Sequence, residues 1–190
     1  MRRLIVSEFV SVDGVMQDPG GVEGFDRGGW AIQIDRGAEG ERFKLDEVLD
    51  ADALLLGRLT YRVFADAWRA RTGKFADKMN SMPKFVVSTT LEEADWNNST
   101  LIAGDVAEEV SKLKQQQGGD ILVAGSGQLV RTLMLHDLID EYRLMVFPVV
   151  LGSGKRLFAD GIDMTALNLV EATPVGSGVL ILTYRPGARS

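Results

Sequence analysis

Three features of the sequence predict an α/β fold with a mostly parallel central sheet, flanked by helices and closed by an antiparallel C-terminal edge. Short apolar runs alternate with helix-spaced apolar residues over the first two thirds of the chain. Two of those runs end in glycine turns that open helices, and in the last third strands follow one another directly.

Residues 4–12 are rich in Val, Ile and Phe and run into the turn pair Asp13-Gly14, which reads as a strand and its turn. The glycine-rich stretch 18–29 reads as a loop long enough to need a function. Phe43, Leu45, Val48 and Leu49 among charged residues predict an amphipathic helix over 39–49. Residues 53–56 form a uniformly apolar run ending at Gly57, as expected of a strand buried on both faces, and a helix should start near Thr60.

Strands are expected at 84–88 and 99–103, then a helix carrying Val106, Val110 and Leu113 that ends at Gln117-Gly118-Gly119. Residues 121–124 form another apolar strand, turning through Gly125-Ser126-Gly127 into a helix marked by Leu129, Val130, Leu133 and Met134. Strands at 141–150, 168–175 and 179–184, joined by glycine-serine-glycine turns, complete the chain.

The 190 residues are 45% hydrophobic and 25% charged, which fits one domain over 1–190. With no Cys, disulfides, thiolate metal sites and a thiol nucleophile are excluded, and the single His136 leaves zinc without its usual ligands. Net charge −6 has the wrong sign for a nucleic-acid backbone as main partner. The first apolar run is broken by Ser7 and Glu8, and no apolar twenty-residue stretch follows, so a cytoplasmic protein without a membrane partner is expected.

Two strand-to-helix junctions carry the chemistry, because a glycine turn admits a ligand to the backbone and a helix start offers unpaired N–H groups to an anion. At Gly57-Arg58-Leu59-Thr60, Arg58 brings a forked cation and Thr60 a hydroxyl; the alternative is a plain turn with Thr60 as helix cap. Gly125-Ser126-Gly127 has the setting of a pyrophosphate site, yet Val130 stands where a dinucleotide fingerprint has its third glycine. Gly152-Ser153-Gly154-Lys155 is not a P-loop, since Val149 and Arg156 replace its first glycine and its magnesium-binding hydroxyl. Asp13 could face a cleft or simply form a turn. Trp30, Tyr61, Phe64 and Trp68 could line a pocket for a flat heterocycle or pack in the core.

Across nearly the whole chain, the ordered motifs VSVDG at 10–14, LLLGRLTY at 54–61, PKFVVS at 83–88, VAGSG at 123–127 and PVVLGSGKRLF at 148–158 resemble the dihydrofolate reductase-like family. Within it they are most similar to the reductase domain of the riboflavin-biosynthesis deaminase/reductase. The resemblance implies an NADPH-dependent reductase acting on a pyrimidine or pterin, specifically a 5-amino-6-(5-phosphoribosylamino)uracil reductase. The alternatives are a family enzyme with another substrate, and a non-catalytic nucleotide-binding protein that keeps the fold. It implies cofactor contacts from Val10, Gly57, Arg58, Thr60, Ser88, Thr89, Gly125, Ser126, Gly127 and Gln128, with Arg58, Ser88 and Thr89 selecting the 2′-phosphate.

Substrate contacts are expected from Ser11, Asp13, Trp30, Tyr61 and Phe64. Asp13 is the first candidate for positioning substrate or relaying a proton, with partial burial raising its pKa. Glu41 is the second, at about the spacing before Gly57 of the pterin-binding carboxylate in dihydrofolate reductases. Loop 18–29 is expected to close over the site, with Trp30 near its hinge. A homodimer is expected both from the resemblance and from residues 142–151, read as a long apolar edge strand that needs a cover.

Overall fold

The computed structural model describes residues 1–187. Its strands are β1 (Leu4–Ser11), β2 (Ala53–Gly57), β3 (Lys84–Val87), β4 (Ser99–Ile102), β5 (Ile121–Ala124), β6 (Glu141–Phe147), β7 (Leu167–Val175) and β8 (Val179–Pro186). They form one sheet in the order β4-β3-β2-β5-β1-β6-β8-β7. All pairings from β4 through β6 are parallel, and those of β6 with β8 and of β8 with β7 are antiparallel. The predicted α/β fold with an antiparallel C-terminal edge is therefore the one adopted.

The helices are α1 (Gly37–Asp50), α2 (Arg58–Trp68), α3 (Lys74–Ser81), α4 (Val106–Gln115) and α5 (Gly127–Leu135). Alternation along the strands sorts them onto two faces. Leu55, Ile121 and Val123 join Val110 and Leu113 of α4 and Leu129, Val130 and Leu133 of α5 in one core. Leu54, Leu56 and Leu122 join Val48 of α1, Tyr61 and Ala65 of α2 and Met79 of α3 in the other. Among the described residues no helix is long and apolar enough to cross a membrane.

Three elements differ from expectation. Helix α3 lies in a stretch that the sequence left unassigned; it is short, begins at Gly73 without a side-chain cap, and is held by burial of Ala76 and Met79. Strand β6 is not an edge: it pairs with β1 on one side and β8 on the other, and Tyr142, Leu144, Met145 and Phe147 are buried. That removes the premise for a dimer through residues 142–151. The exposed edge belongs instead to β7, where Leu169 and Val170 are about half exposed.

At the foot of β3, Lys84 is fully buried. Its Nζ donates to the carbonyls of Met82 (2.8 Å), Asn97 (2.9 Å) and Asn80 (3.1 Å) and sits 4.3 Å from the Trp96 ring centroid. One donor group thus serves three carbonyls, of which that of Asn80 also accepts from the Asn97 side-chain amide at 3.3 Å.

Candidate functional site

Strands β2 and β5 are parallel neighbours, but the chain leaves them for opposite faces, β2 into α2 and β5 into α5. In open α/β sheets a ligand crevice opens at such a divergence, outside the carboxyl ends of the strands. Gly57 and Gly125 both lie there. A side chain from each junction completes the other: Ser126 Oγ accepts the Gly57 N–H at 2.9 Å, and the Ser126 N–H donates to Thr60 Oγ1 at 2.9 Å. Thr60 therefore lies inside the first turn of α2 and bonds across the crevice rather than capping its own helix.

The backbone is shaped for close approach. Gly125 and Ser126 are both left-handed (φ 59° and 62°), which folds the chain tightly from β5 into α5. A Cβ at Gly125 would stand 2.8 Å from Thr60 Oγ1 and Cγ2, and one at Gly127 would stand 2.9 Å from Met16 Sδ. Neither α2 nor α5 has a side-chain cap or an acidic residue in its first turn. By contrast, α4 is capped by Asp105 and carries Glu108 and Glu109. The N–H groups that start α2 and α5 are thus left for an anion.

Arg58 opens α2 beside them, and no hydrogen bond or ion pair to another described residue holds its guanidinium. Pairing of Gly57 with Val87 brings Ser88 and Thr89 to the same edge of the sheet. Ser88 Oγ accepts the Leu91 and Thr90 N–H groups (2.9 and 3.2 Å), leaving its O–H to donate, while Thr89 is exposed. Gln128 is exposed in the first turn of α5. The Val10 side chain is buried in the α5-side core.

The residues expected to meet substrate are placed differently. Ser11 is buried, donating to Asp13 Oδ1 (2.7 Å) and accepting the Val15 N–H (2.9 Å). Asp13 accepts the Leu151 N–H at 3.0 Å and the Gly152 N–H at 2.8 Å. Led by the Leu151 bond, then the Ser11 hydroxyl, these contacts hold its carboxyl down at about 2. The direction is opposite to the expected rise, because hydrogen bonds to the ionised form outweigh desolvation. Asp13 thereby fastens its own turn to residues 151–152, and those bonds favour its ionised form.

Glu41 makes a bidentate pair with Arg36 (2.7 and 2.8 Å) on the outer surface, and that hydrogen bonding lowers its pKa. A neutral acid facing a cleft is not what α1 presents there. Tyr61 is core: its hydroxyl accepts the Trp96 N–H at 2.7 Å and its ring packs on Trp96. Phe64 packs against the same cluster. Trp30 is buried edge-on to Phe147, with its indole N–H on the Gln17 carbonyl at 2.9 Å.

Loop 18–29 is wound on itself rather than hanging as an open lid. Asp18 accepts the Val22 and Phe25 N–H groups, and the Gly29 N–H returns to the Asp18 carbonyl.

Sequence reasoning missed a buried polar group on β1. Ser7 faces α1, where its hydroxyl donates to Glu47 (2.7 Å) and accepts from Lys44 (2.7 Å). Glu8, on the opposite face, is 5% exposed with Oε1 unpaired. The available signal is the pair Ser7-Glu8, two polar residues inside an apolar strand.

The family described as the RibD C-terminal domain matches residues 2–181. The uncharacterized protein YyaP of Bacillus subtilis (strain 168) is 31% identical over 192 residues, spanning 96% of this chain and 94% of its own. YwjB of the same organism, also described as uncharacterized, is 28% identical over 179 residues, with 94% and 95% covered. Among solved structures, a putative riboflavin biosynthesis protein from Shewanella sp. PV-4 superposes with TM-score 0.76 at 21% identity, over 98% of this chain and 99% of that one. A pyrimidine reductase-like protein from Corynebacterium diphtheriae NCTC superposes at 0.66 with 11% identity, over 99% and 93%. At these identities the two structures share the fold with this chain.

Proposed function

The chain belongs to the RibD C-terminal domain family, and from that premise we propose that it is an NADPH-dependent reductase of a phosphoribosylamino-pyrimidine in the riboflavin pathway. The observation that carries this reading is the clasped pair of uncapped helix starts at β2 and β5, with Arg58 beside them. Gly125 and Gly127 leave the backbone bare where a pyrophosphate would lie, and the Arg58 fork with the Ser88 and Thr89 hydroxyls suits a 2′-phosphate. Gln128, exposed in the first turn of α5, is the further side chain assigned to the cofactor there, and Val10 would contribute through its backbone alone.

When bound, NADPH supplies the hydride; the chain's own residues bind, orient and exclude water. Asp13, ionised at neutral pH, keeps the 151–152 turn fixed at the end of β1 and does not deliver the proton. Tyr61 and Phe64, on α2, anchor that helix to the core, and Trp30 packs behind the 18–29 loop.

The riboflavin and pyrimidine descriptions of the two structural neighbours agree with the family match in favouring a pyrimidine over a pterin. We place the reductase unit over 1–190 and in the cytoplasm. The homodimer implied by the resemblance we assign to antiparallel pairing of two β7 edges, whose apolar Leu169 and Val170 a second copy would cover.

Calorimetry with NADPH and NADH, followed by NADPH oxidation with the phosphoribosylamino-pyrimidine or dihydrofolate, tests the reading. NADPH should bind at least ~10-fold tighter than NADH, and Arg58→Gln should erase most of that margin. Equal or absent binding of the two nucleotides overturns it.

A further inference from the structure

The last pairing of β1 with β5 is Ser7 with Ala124; β1 then continues beside β6 alone as far as Ser11, while Gly125 turns away into α5. Glu8 is the first residue past this split. It lies on the α5 side with Val6 and Val10, 5% exposed, its carboxyl directed at the Gly125 N–H and its Oε1 without a partner. A buried carboxylate with a bare oxygen is costly, whereas the neutral acid is tolerated there.

The charged groups that reach Glu8 come from α1. Lys44 would favour its charge and Glu47 oppose it. Lys44, however, is bonded to Glu47 and Ser7, and Arg143 of β6 lies 3.6 Å from Glu47. Lys44 is committed to Glu47 and Ser7, and Arg143 to Glu141 at 2.9 Å, while burial holds the Glu8 carboxyl well above the ordinary range. Gly125 begins the left-handed Gly125-Ser126 turn into the uncapped start of α5, so a negative charge on Glu8 would stand behind the helix start where an anion would lie.

Resting on the nucleotide reading above, we infer that Glu8 is a positioning residue of the crevice: as the neutral acid it braces the Gly125–Gly127 loop in its anion-accepting form, and on losing its proton it expels the pyrophosphate. Nucleotide binding then keeps a proton on Glu8. Above the pH at which Glu8 ionises, affinity falls about tenfold per pH unit, with uptake of one proton per nucleotide bound.

The test is calorimetry of NADPH binding to the full chain across pH, in buffers of different ionisation enthalpy, for wild type and Glu8→Gln. Glutamine keeps an oxygen for the Gly125 N–H and cannot ionise. Titration of the 2′-phosphate is common to both proteins and cancels in their difference. Wild-type affinity should fall with rising pH with near-unit proton uptake, and Glu8→Gln should lack both effects. Should the variant fail to fold, proton uptake on wild-type binding of NADH, which has no 2′-phosphate, isolates the Glu8 contribution. Tight wild-type binding without proton uptake, or an identical profile in both proteins, overturns the role of Glu8 and leaves the reductase reading intact. Absence of NADPH binding to wild type at every pH overturns both.

Discussion

The hydroxyl of Ser126 accepts the backbone N–H of Gly57 at 2.9 Å, so a side chain from one strand-to-helix junction completes the backbone of another nearly seventy residues away. With the return bond from the Ser126 N–H to Thr60 Oγ1, the starts of α2 and α5 are one rigid unit. A phosphate bound there meets donors whose positions are fixed beforehand, which lowers the entropic cost of binding.

Ser126→Ala leaves the Gly57 N–H without its acceptor and should cost about 1–2 kcal/mol of stability. Gly125→Ala should cost more, about 2–4 kcal/mol, because its Cβ would press on Thr60 at 2.8 Å in a left-handed backbone. Urea denaturation of both variants gives the comparison; a Gly125→Ala protein as stable as wild type would contradict the close approach.

Asp13 has a folded pKa of about 2 against an ordinary 3.8. A depressed acid stabilises fully above the unfolded value, and the contribution disappears as pH falls from 3.8 through 2. Asp13→Asn should lose about 1 kcal/mol at neutral pH, allowing for solvent screening, with the gap closing near pH 2. Between pH 5 and pH 9 the wild-type and Asp13→Asn rate profiles should have the same shape. An inflection present only in wild type would restore Asp13 as a proton carrier.

Burial pulls the Lys84 ammonium down to about 8 from 10.5. The folded protein therefore holds this proton less tightly than the unfolded chain, and the contribution of Lys84 to stability rises from pH 8 to pH 10.5. Lys84→Met leaves three carbonyls without their donor and should lose about 2–4 kcal/mol at neutral pH. Its stability should also be flatter over the alkaline window; an unchanged unfolding midpoint would show that water replaces the ammonium at no cost.

Val170→Lys places a charge on the outer strand β7. If two β7 edges pair, light scattering at micromolar concentration should give a dimer for wild type and a monomer for the variant. A wild-type monomer, or a variant that remains dimeric, removes that assignment.

The sequence disclosed the parallel section well because its strands are short, uniformly apolar and closed by glycine, a pattern few alternatives share. Gly57 and Gly125 could be placed at strand ends by inspection, but their mutual contact could not, since it depends on β5 entering between β2 and β1. Residues 142–151 are apolar in an edge or a centre alike, so the sequence could not foresee that β8 folds back on β6. Tyr61, Phe64 and Trp30 carry helix-spaced or isolated aromatic signals that serve core and pocket equally. For Asp13, the deciding partners are the N–H groups of Leu151 and Gly152, far along the chain and invisible to any local pattern. Glu8 is an anomaly in an apolar strand, but its burial on the α5 side depends on β5 and β6 flanking β1, which no local pattern reveals.

The position of β1 has a consequence for how the molecule is made. Both of its neighbours, β5 and β6, lie beyond residue 120, so β1 waits during synthesis for more than a hundred further residues before either side is paired. Until then, an apolar strand with two open edges is exposed in the nascent polypeptide, a state that invites aggregation and holdase chaperones. The same order that assembles the crevice between β2 and β5 from distant segments makes its completion a late event, with high contact order and slow closure. Fragments that stop before residue 121 would carry β2, β3 and their helices but could not pair β1 with either of its native partners.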